Sequence, residues 1–282
     1  MTTWTVRSLL AWAREWLAKK GVDSPRLDAE LLLAHALGCD RVRLYVDVDK
    51  PLTDEELQKF KPLIQRRGAR EPVAYILSTK EFYGRPFFVE PGVFIPRPET
   101  ELLVQLALEA QPARALDLCC GAGPVGVTLA AERPEASVDL VELDHLSAEC
   151  ARRNAAQHAP GRARVFEGDL FAALPAPATY DAVVANPPYL PTAERPAIMP
   201  DVVDHEPHLA LFAGEDGLSV IRRIVGGLAA WLKPDGFFAT EIDPPQSAAV
   251  RELLQAAGFR DIKVVRDLQG QDRHVTGRHG RN

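Results

Sequence analysis

The spacing of apolar residues divides the chain into a first part with helical periodicity and a second part in which apolar runs alternate with helical patterns. Between residue 4 and about residue 67, apolar positions recur at helical spacing, which predicts three helices. The first ends at Gly21, the second begins after Ser24 and ends at Gly38, and a capping box at Thr53–Glu56 opens the third. This part is predicted to be a small all-α domain, either a passive stabiliser or a module that docks a partner.

Aromatic residues, glycines and prolines crowd the span of residues 71–98. Within it, Lys80–Val89 carries two short apolar runs around Gly84, which predicts a β-hairpin. Two prolines then flank Arg97 and hold it in an extended, rigid segment that leads into a predicted helix at Glu101–Glu109. This segment is either a linker between domains or a wall over a ligand.

From Ala113 onward, short apolar runs alternate with amphipathic helical patterns, which predicts an α/β fold with a doubly wound, mostly parallel, seven-stranded sheet. The predicted strands are Ala115–Cys119, Val138–Glu142, Arg164–Glu167, Asp181–Ala185, Phe237–Ile242, Ile262–Arg266 and His274–Thr276. The predicted helices are Val125–Ala131, Leu146–His158, Leu218–Trp231 and Gln246–Ala257. The last two strands have only a short connection with Gly270 between them, so they are predicted to form an antiparallel hairpin.

Composition narrows the class of protein. The formal net charge is −6 and the isoelectric point is near 5.7, whereas proteins that grip many phosphates usually show a basic excess. No apolar run reaches the roughly 18 residues of a membrane span, and no signal peptide is recognisable. The four cysteines have no CxxC spacing, so no metal site is expected. These features predict a reduced, cytoplasmic protein without direct contact with nucleic acid or membranes.

A glycine-rich stretch follows the first strand of the predicted sheet and opens a helix. Gly121, Gly123 and Gly126 match the spacing G-x-G-x-x-G, in which glycines let the backbone approach a ligand at a helix N-terminus. The next strand ends at Glu142, where a carboxylate accepts hydrogen bonds from a ribose diol. Alone, this pattern also fits a nicotinamide-dependent oxidoreductase, or glycines that only allow close packing.

The third strand of the predicted sheet ends in a second acidic segment, Glu167–Phe171. Its Asp169 is placed to accept a hydrogen bond from the exocyclic amine of an adenine. A role as a turn cap is equally compatible with the sequence.

The fourth strand of the predicted sheet ends abruptly in Asn186-Pro187-Pro188-Tyr189. Proline has no N–H for a sheet ladder, and a residue before proline is driven into the extended region. The result is a stiff loop that carries an amide side chain, free carbonyls and an aromatic ring. Ligands of open α/β sheets bind at the carboxyl ends of strands, where this loop lies.

These motifs together resemble those of the class I S-adenosylmethionine-dependent methyltransferases, and more narrowly the release factor glutamine N5-methyltransferases. The resemblance covers nearly the whole chain. It implies a Rossmann-like methyltransferase domain at residues 99–282, a helical substrate-docking domain at 1–75 and a hairpin and linker at 76–98. It rests on the glycine and Asn-Pro-Pro-Tyr motifs and on the following segments: Ile95–Glu101, His205–Pro207 with Ala210-Leu211, Gly214–Leu218 and Val275–Arg278.

The resemblance also implies roles at the site. Glu142 takes the ribose hydroxyls, Asp169 or Leu170 flanks the adenine, and Asn186 lies beside the cofactor as well as the substrate. The product is S-adenosylhomocysteine. The residues beside the methionine part of the cofactor are Cys119, Cys120, Gly121, Ala122 and Gly123.

The implied substrate is the glutamine of the Gly-Gly-Gln motif in class I peptide-chain release factors. The Asn186 side-chain oxygen and the Pro187 carbonyl each accept one N–H of the glutamine amide, Pro188 stiffens the loop, and Tyr189 packs on the amide plane. Asn186, Pro187 and Tyr189 are thus the expected catalytic group, and no strong general base is needed.

An adenine-N6 methyltransferase acting on DNA or RNA is the alternative, because adenine also presents an exocyclic amine beside a π face. The acidic balance of the chain counts against it. An oxidoreductase leaves the Asn-Pro-Pro-Tyr loop unexplained, and a binding module without activity leaves no reason for both motifs.

Three positions depart from the pattern of the family. Glycine is usual where Cys119 stands, and aspartate is usual at Glu142. After Glu241-Ile242 the family tends to continue with glycine, whereas Asp243-Pro244-Pro245 follows here, far in sequence from the expected chemistry.

Overall fold

A computed structural model describes residues 3–175 and 179–280 of the chain. The chain separates into two compact units. The helical unit comprises Met1–Thr79 with Met199–His205, and the sheet unit comprises Lys80–Ile198 with Glu206–Asn282. The functional division at residues 75 and 98 stays a prediction. Within the described residues, no helix is both long enough and apolar enough to cross a bilayer.

The helices and strands follow the predicted alternation. The α-helices are α1 Val6–Lys19, α2 Pro25–Leu37, α3 Arg41–Val46, α4 Asp54–Gly68, α5 Val73–Leu77, α6 Glu101–Glu109, α7 Pro124–Glu132, α8 His145–His158, α9 Pro200–Val203, α10 Ser219–Leu228 and α11 Ser247–Ala256. The strands are β1 Thr79–Phe82, β2 Arg85–Phe88, β3 Arg114–Leu118, β4 Ser137–Glu142, β5 Ala163–Glu167, β6 Tyr180–Ala185, β7 Leu232–Glu241, β8 Phe259–Arg266 and β9 Asp272–His279.

Local sequence signals set the ends of the helices in the helical unit. The predicted capping box is confirmed, because the Thr53 hydroxyl accepts from the Glu56 N–H and the Glu56 carboxylate accepts from the Thr53 N–H. Gly38 ends α2 in the left-handed conformation, as predicted. Ser24 precedes α2, but its side chain makes no capping bond, and Pro25 at the first position starts the helix instead.

A buried arginine, Arg67, connects the Met199–His205 segment of the helical unit to the helices of that unit. The Arg67 guanidinium lies 2.6 Å from a carboxylate oxygen of Asp28 and 2.7 Å from one of Asp201. All three side chains are almost entirely covered. A buried charge is tolerated only when it is paired, so this contact holds α9 within the unit.

The sheet unit contains the predicted seven-stranded sheet, in the order β5-β4-β3-β6-β7-β9-β8. The first five strands of this order run parallel, and β9 is antiparallel to both of its neighbours. The predicted hairpin of the last two strands is therefore confirmed, with Gly270 in the left-handed conformation at its turn. The chain reverses its winding direction beside β3, and the carboxyl ends of β3 and β6 flank this switch point.

The predicted hairpin of β1 and β2 is also present and packs on α8 in the sheet unit. The Asn154 side chain accepts from the Phe88 N–H at 2.8 Å and donates to the Phe88 carbonyl at 3.0 Å. The Phe82 and Phe87 rings are fully buried in an edge-to-face pair. The hairpin is therefore anchored to α8, and so is the start of the segment that leads from it to α6.

Candidate active site

The strand register places the predicted motifs at one edge of the sheet. Leu118, the last residue of β3, is paired with Val141 on one side and with Ala185 on the other. Ala185 is in turn paired with Thr240 of β7. The residues that follow these pairs therefore meet at the switch point. In spatial order they are Glu142, Cys119, Asn186 and Glu241.

The glycine loop after β3 is a tight turn whose glycines have different roles. The Gly123 N–H donates to the Cys120 carbonyl at 2.8 Å, and Gly121 and Gly123 have positive φ angles of 57° and 80°. A Cβ added to Gly126 would lie 2.8 Å from Leu140 Cγ, so Gly126 permits close packing. A Cβ on Gly121 would meet nothing within 4 Å, so Gly121 is needed for its backbone conformation rather than for packing.

One buried carboxyl group and two thiols lie at the start of this loop: Asp117 and Cys120 are buried, and Cys119 is half-buried. Asp117 accepts from the Gly126 N–H at 2.8 Å, and burial raises the pKa of its carboxyl to about 7. Burial also raises the pKa of the Cys119 and Cys120 thiols. Both cysteines are therefore protonated at neutral pH and are poor nucleophiles.

Cys119 occupies a backbone conformation that favours glycine, with φ of 58°. This conformation gives a physical reason for the glycine that the family prefers at this position. We expect Cys119→Gly to unfold with a free energy about 1 kcal/mol higher than Cys119→Ala, because the strain of a Cβ in this conformation exceeds the extra chain entropy that glycine loses on folding. Urea titration of both proteins measures the difference, and equal stabilities would contradict a strained Cys119.

Glu142 joins the end of β4 to the glycine loop. One carboxylate oxygen accepts from the Gly121 N–H at 2.7 Å, and the other accepts from the N–H groups of Leu143 and Asp144 at 2.8 and 2.9 Å. Burial raises the pKa of this carboxyl, while the backbone hydrogen bonds oppose the shift. A carboxylate has about four lone-pair sites, so one remains for a ribose hydroxyl. The loop and Glu142 thus fit a nucleoside cofactor.

Asp169 and Leu170, the two residues predicted to flank the adenine, lie just after β5 and differ in exposure. Leu170 is buried and has a positive φ of 47°. Asp169 is exposed, and its carboxylate forms an ion pair with Arg223 at 2.6 Å. A contact of Asp169 with adenine would have to share this carboxylate with Arg223. The adenine roles of both residues stay predictions.

The Asn-Pro-Pro-Tyr loop is fixed through three side chains that sequence reasoning did not assign to the site: Thr100, Glu241 and Gln246. Asn186 Nδ2 donates to Thr100 Oγ1 at 3.1 Å, and the Tyr189 hydroxyl donates to Glu241 Oε1 at 3.1 Å. Gln246 Nε2 donates to the Tyr189 carbonyl at 2.7 Å. Burial and the nearby Glu241 charge raise the pKa of Tyr189, so its phenol is neutral.

Gly217 explains why the turn at residues 214–218 is glycine-rich. It has a positive φ of 71°, and a Cβ here would lie 2.0 Å from the Tyr189 carbonyl oxygen. Only glycine therefore lets this turn pass behind the Asn-Pro-Pro-Tyr loop.

The departure at Asp243-Pro244-Pro245 lies close to the loop in space. The two prolines form a short 3₁₀ turn in which Gln246 caps Asp243 and reaches Tyr189. The turn thus supports the far end of the loop, although it is distant in sequence.

Glu206 fixes the segment around Arg97, which lies between two prolines and leads to Thr100. Its carboxylate accepts from the Ile95 N–H at 3.2 Å and from the Arg97 guanidinium at 2.6 Å. The Arg97 guanidinium also stacks on the Phe94 ring, 4.7 Å from its centroid. The resemblance had singled out the segments that contain these residues, and a non-local ion pair joins them here.

Comparisons with known proteins agree with this geometry. The PrmC N-terminal domain model matches residues 8–77, and the methyltransferase small domain model matches residues 86–209. The release factor glutamine methyltransferase of Geobacter sulfurreducens is 44% identical over 279 residues, which is 98% of each chain. Its namesake from Mycolicibacterium smegmatis is 42% identical over 278 residues, or 96% of each chain.

Solved methyltransferase structures share the fold of a large part of the chain. A Pyrococcus furiosus methyltransferase superposes with a TM-score of 0.54 at 18% identity, over 77% of this chain and 100% of its own. The T. thermophilus 16S rRNA N2 G1207 methyltransferase, solved with AdoMet and guanosine, has a TM-score of 0.53 at 24% identity, over 72% of this chain and 50% of its own.

Proposed function

The chain belongs to the release factor glutamine methyltransferase family, and from this premise we propose which atom it modifies. It transfers a methyl group from S-adenosylmethionine to the side-chain amide nitrogen, N5, of the glutamine in the Gly-Gly-Gln motif of class I peptide-chain release factors. The observation that carries the proposal is the Asn186–Tyr189 loop, which is fixed beside the glycine loop on the neighbouring strand.

The substrate nitrogen is a weak nucleophile, because its lone pair is delocalised into the amide carbonyl. Its two N–H groups require two acceptors, and the Asn186 oxygen with the Pro187 carbonyl supplies such a pair. Holding reacting atoms in a near-attack geometry lowers a barrier by several kcal/mol, on the order of the effective molarities measured for oriented reactions. S-adenosylmethionine, when bound, supplies a methyl group on a positively charged sulfur and leaves as S-adenosylhomocysteine. The nitrogen gains the methyl and releases one proton to water.

The protonation states of the neighbouring groups support direct transfer. The Tyr189 phenol is neutral and its proton is committed to Glu241. The thiols of Cys119 and Cys120 are protonated. The site therefore orients the amide nitrogen for direct attack on the methyl group rather than generating a covalent intermediate on the protein.

The proposal includes a protein partner and a compartment. The helical unit docks the release factor, and the reaction takes place in the cytoplasm, where translation termination occurs. The negative net charge of −6 agrees with a partner other than nucleic acid.

Incubation with labelled S-adenosylmethionine tests the proposal. We expect label on an unmodified class I release factor and none on duplex DNA in a parallel reaction. Label on the DNA alone would support adenine-N6 methylation instead. Label on neither substrate would refute both methylation of release factor and adenine-N6 methylation of duplex DNA.

A further inference from the structure

We propose that Glu241 and Thr100 are positioning residues that determine which atom of the Asn186 amide faces the substrate. This inference rests on the proposed function. The site prefers a nitrogen that carries two N–H groups. In this proposal, a buried hydrogen-bond network behind the Asn-Pro-Pro-Tyr loop causes that preference.

Glu241 is the acceptor at the centre of this network. Its Oε2 accepts from the Thr100 hydroxyl at 2.7 Å, and its Oε1 accepts from the Tyr189 hydroxyl at 3.1 Å. Glu241 is only 1% exposed and Thr100 only 2% exposed, so water does not compete for these bonds. Both hydroxyls donate to this carboxyl group, one to each oxygen, so both hydroxyl protons point at Glu241.

The direction of these bonds fixes the Asn186 amide. Because the single proton of the Thr100 hydroxyl is given to Glu241, the hydroxyl offers only lone pairs to Asn186. Asn186 must therefore present its NH2 group to Thr100, and the Nδ2–Oγ1 distance is 3.1 Å. The amide oxygen is left on the opposite side, as an acceptor. A flipped Asn186 would present N–H groups to the substrate N–H groups and repel them.

A histidine lies opposite Glu241 in the sheet. Glu241 and His274 are direct partners in the antiparallel register of β7 and β9, and His274 Nε2 lies 3.7 Å from Glu241 Oε2. The ring is fully buried, and neither nitrogen has a hydrogen-bond partner among the described residues. Arg273 also interacts electrostatically with Glu241. His274 and Arg273 thus lie near the Glu241 carboxylate, which accepts its hydrogen bonds from Thr100 and Tyr189.

Two isosteric variants test the network. Thr100→Val removes the hydroxyl and keeps the shape. Glu241→Gln lets the new amide donate to Thr100, so that the hydroxyl proton turns to Asn186 and favours the flipped amide. We expect each variant to lower kcat for release factor methylation about 10-fold or more, which is the effect of about one lost hydrogen bond. The KM for release factor and the Kd for S-adenosylmethionine stay within about twofold of the wild-type values. The reason is that the two replaced side chains contact the Asn-Pro-Pro-Tyr loop rather than the release factor or S-adenosylmethionine.

Matched controls separate the hydroxyl from packing. Thr100→Ser keeps the hydroxyl and should restore most of the wild-type kcat. Thr128→Val makes the same chemical change at a fully buried threonine whose hydroxyl has no partner among the described residues, and it should leave kcat unchanged. Thermal melting of each protein confirms folding, and the Thr100 pair decides the test if Glu241→Gln does not fold.

The results distinguish this inference from the proposed function. Wild-type protein that methylates release factor, with Thr100→Val equally active, overturns the positioning network alone. The network is also overturned if Thr100→Ser is as inactive as Thr100→Val, or if cofactor affinity falls in parallel with kcat. A wild-type protein that does not methylate release factor overturns the proposed function and, with it, this inference.

Discussion

Replacing Asn186 with alanine is expected to lower the rate of methyl transfer to release factor by about 100-fold or more, the order of loss seen when a reacting group is misplaced by about 1 Å. The alanine removes the proposed acceptor for one substrate N–H and breaks the hydrogen bond to Thr100. S-adenosylmethionine affinity should change by less than about threefold, because Glu142, the proposed acceptor for the ribose, is untouched.

Single-turnover kinetics and calorimetry on the same preparation measure the two effects. Asn186→Gln is the informative companion, since it keeps the amide but carries it one methylene further and should also be slow. Turnover at the wild-type rate in Asn186→Ala would remove Asn186 from the catalytic group.

Replacing Glu142 with glutamine is expected to weaken S-adenosylmethionine binding by about 10-fold to 100-fold, the range for a lost hydrogen bond to a charged group. Glutamine has one acceptor oxygen, whereas the carboxylate accepts from the N–H groups of Gly121, Leu143 and Asp144 on its two oxygens. Its NH2 group therefore faces a backbone donor, which loosens the glycine loop and removes the proposed acceptor for the ribose.

Glu167 supplies a matched control for this titration. It is paired with Glu142 in the parallel register of β4 and β5, but it is exposed and contacts His145 and Arg152. Glu167→Gln should bind S-adenosylmethionine as the wild type does. Equal calorimetric affinities for Glu142→Gln and Glu167→Gln would place the ribose elsewhere.

Much of the sheet unit could be predicted because its signals are local. Buried parallel strands read as short apolar runs, and the seven predicted strands all occur, with ends shifted by a few residues. The capping box at Thr53 and the left-handed Gly38 are set by residues within one turn. Helices α3 and α5 were missed, because six and five residues are too few for a periodic pattern.

The network behind the Asn-Pro-Pro-Tyr loop could not be predicted in the same way. Thr100 and Glu241 are 141 residues apart in sequence, and each looks like an ordinary strand or helix terminus. Only the register of β6 with β7 brings Glu241 next to the residue after Ala185. Since sequence periodicity does not give strand order, the partners of Asn186 and Tyr189 became visible only in the fold.

The departures from the family pattern also needed the fold for their explanation. Cys119 is recognisable from the sequence as unusual, and its positive φ explains why the family prefers glycine at this position. The Pro244-Pro245 turn has no evident role in the sequence, and the structure shows that it carries Gln246 to the Tyr189 carbonyl.

Identification of the methylated atom tests the proposed transfer to glutamine N5 directly. Unmodified class I release factor is incubated with the protein and S-adenosylmethionine that carries a deuterated methyl group, and the product is sequenced by tandem mass spectrometry. We expect a single label on the side-chain amide nitrogen of the Gly-Gly-Gln glutamine, and no label when that glutamine is replaced by alanine. A label on any other residue, or one that persists in the alanine variant, would contradict the proposed transfer.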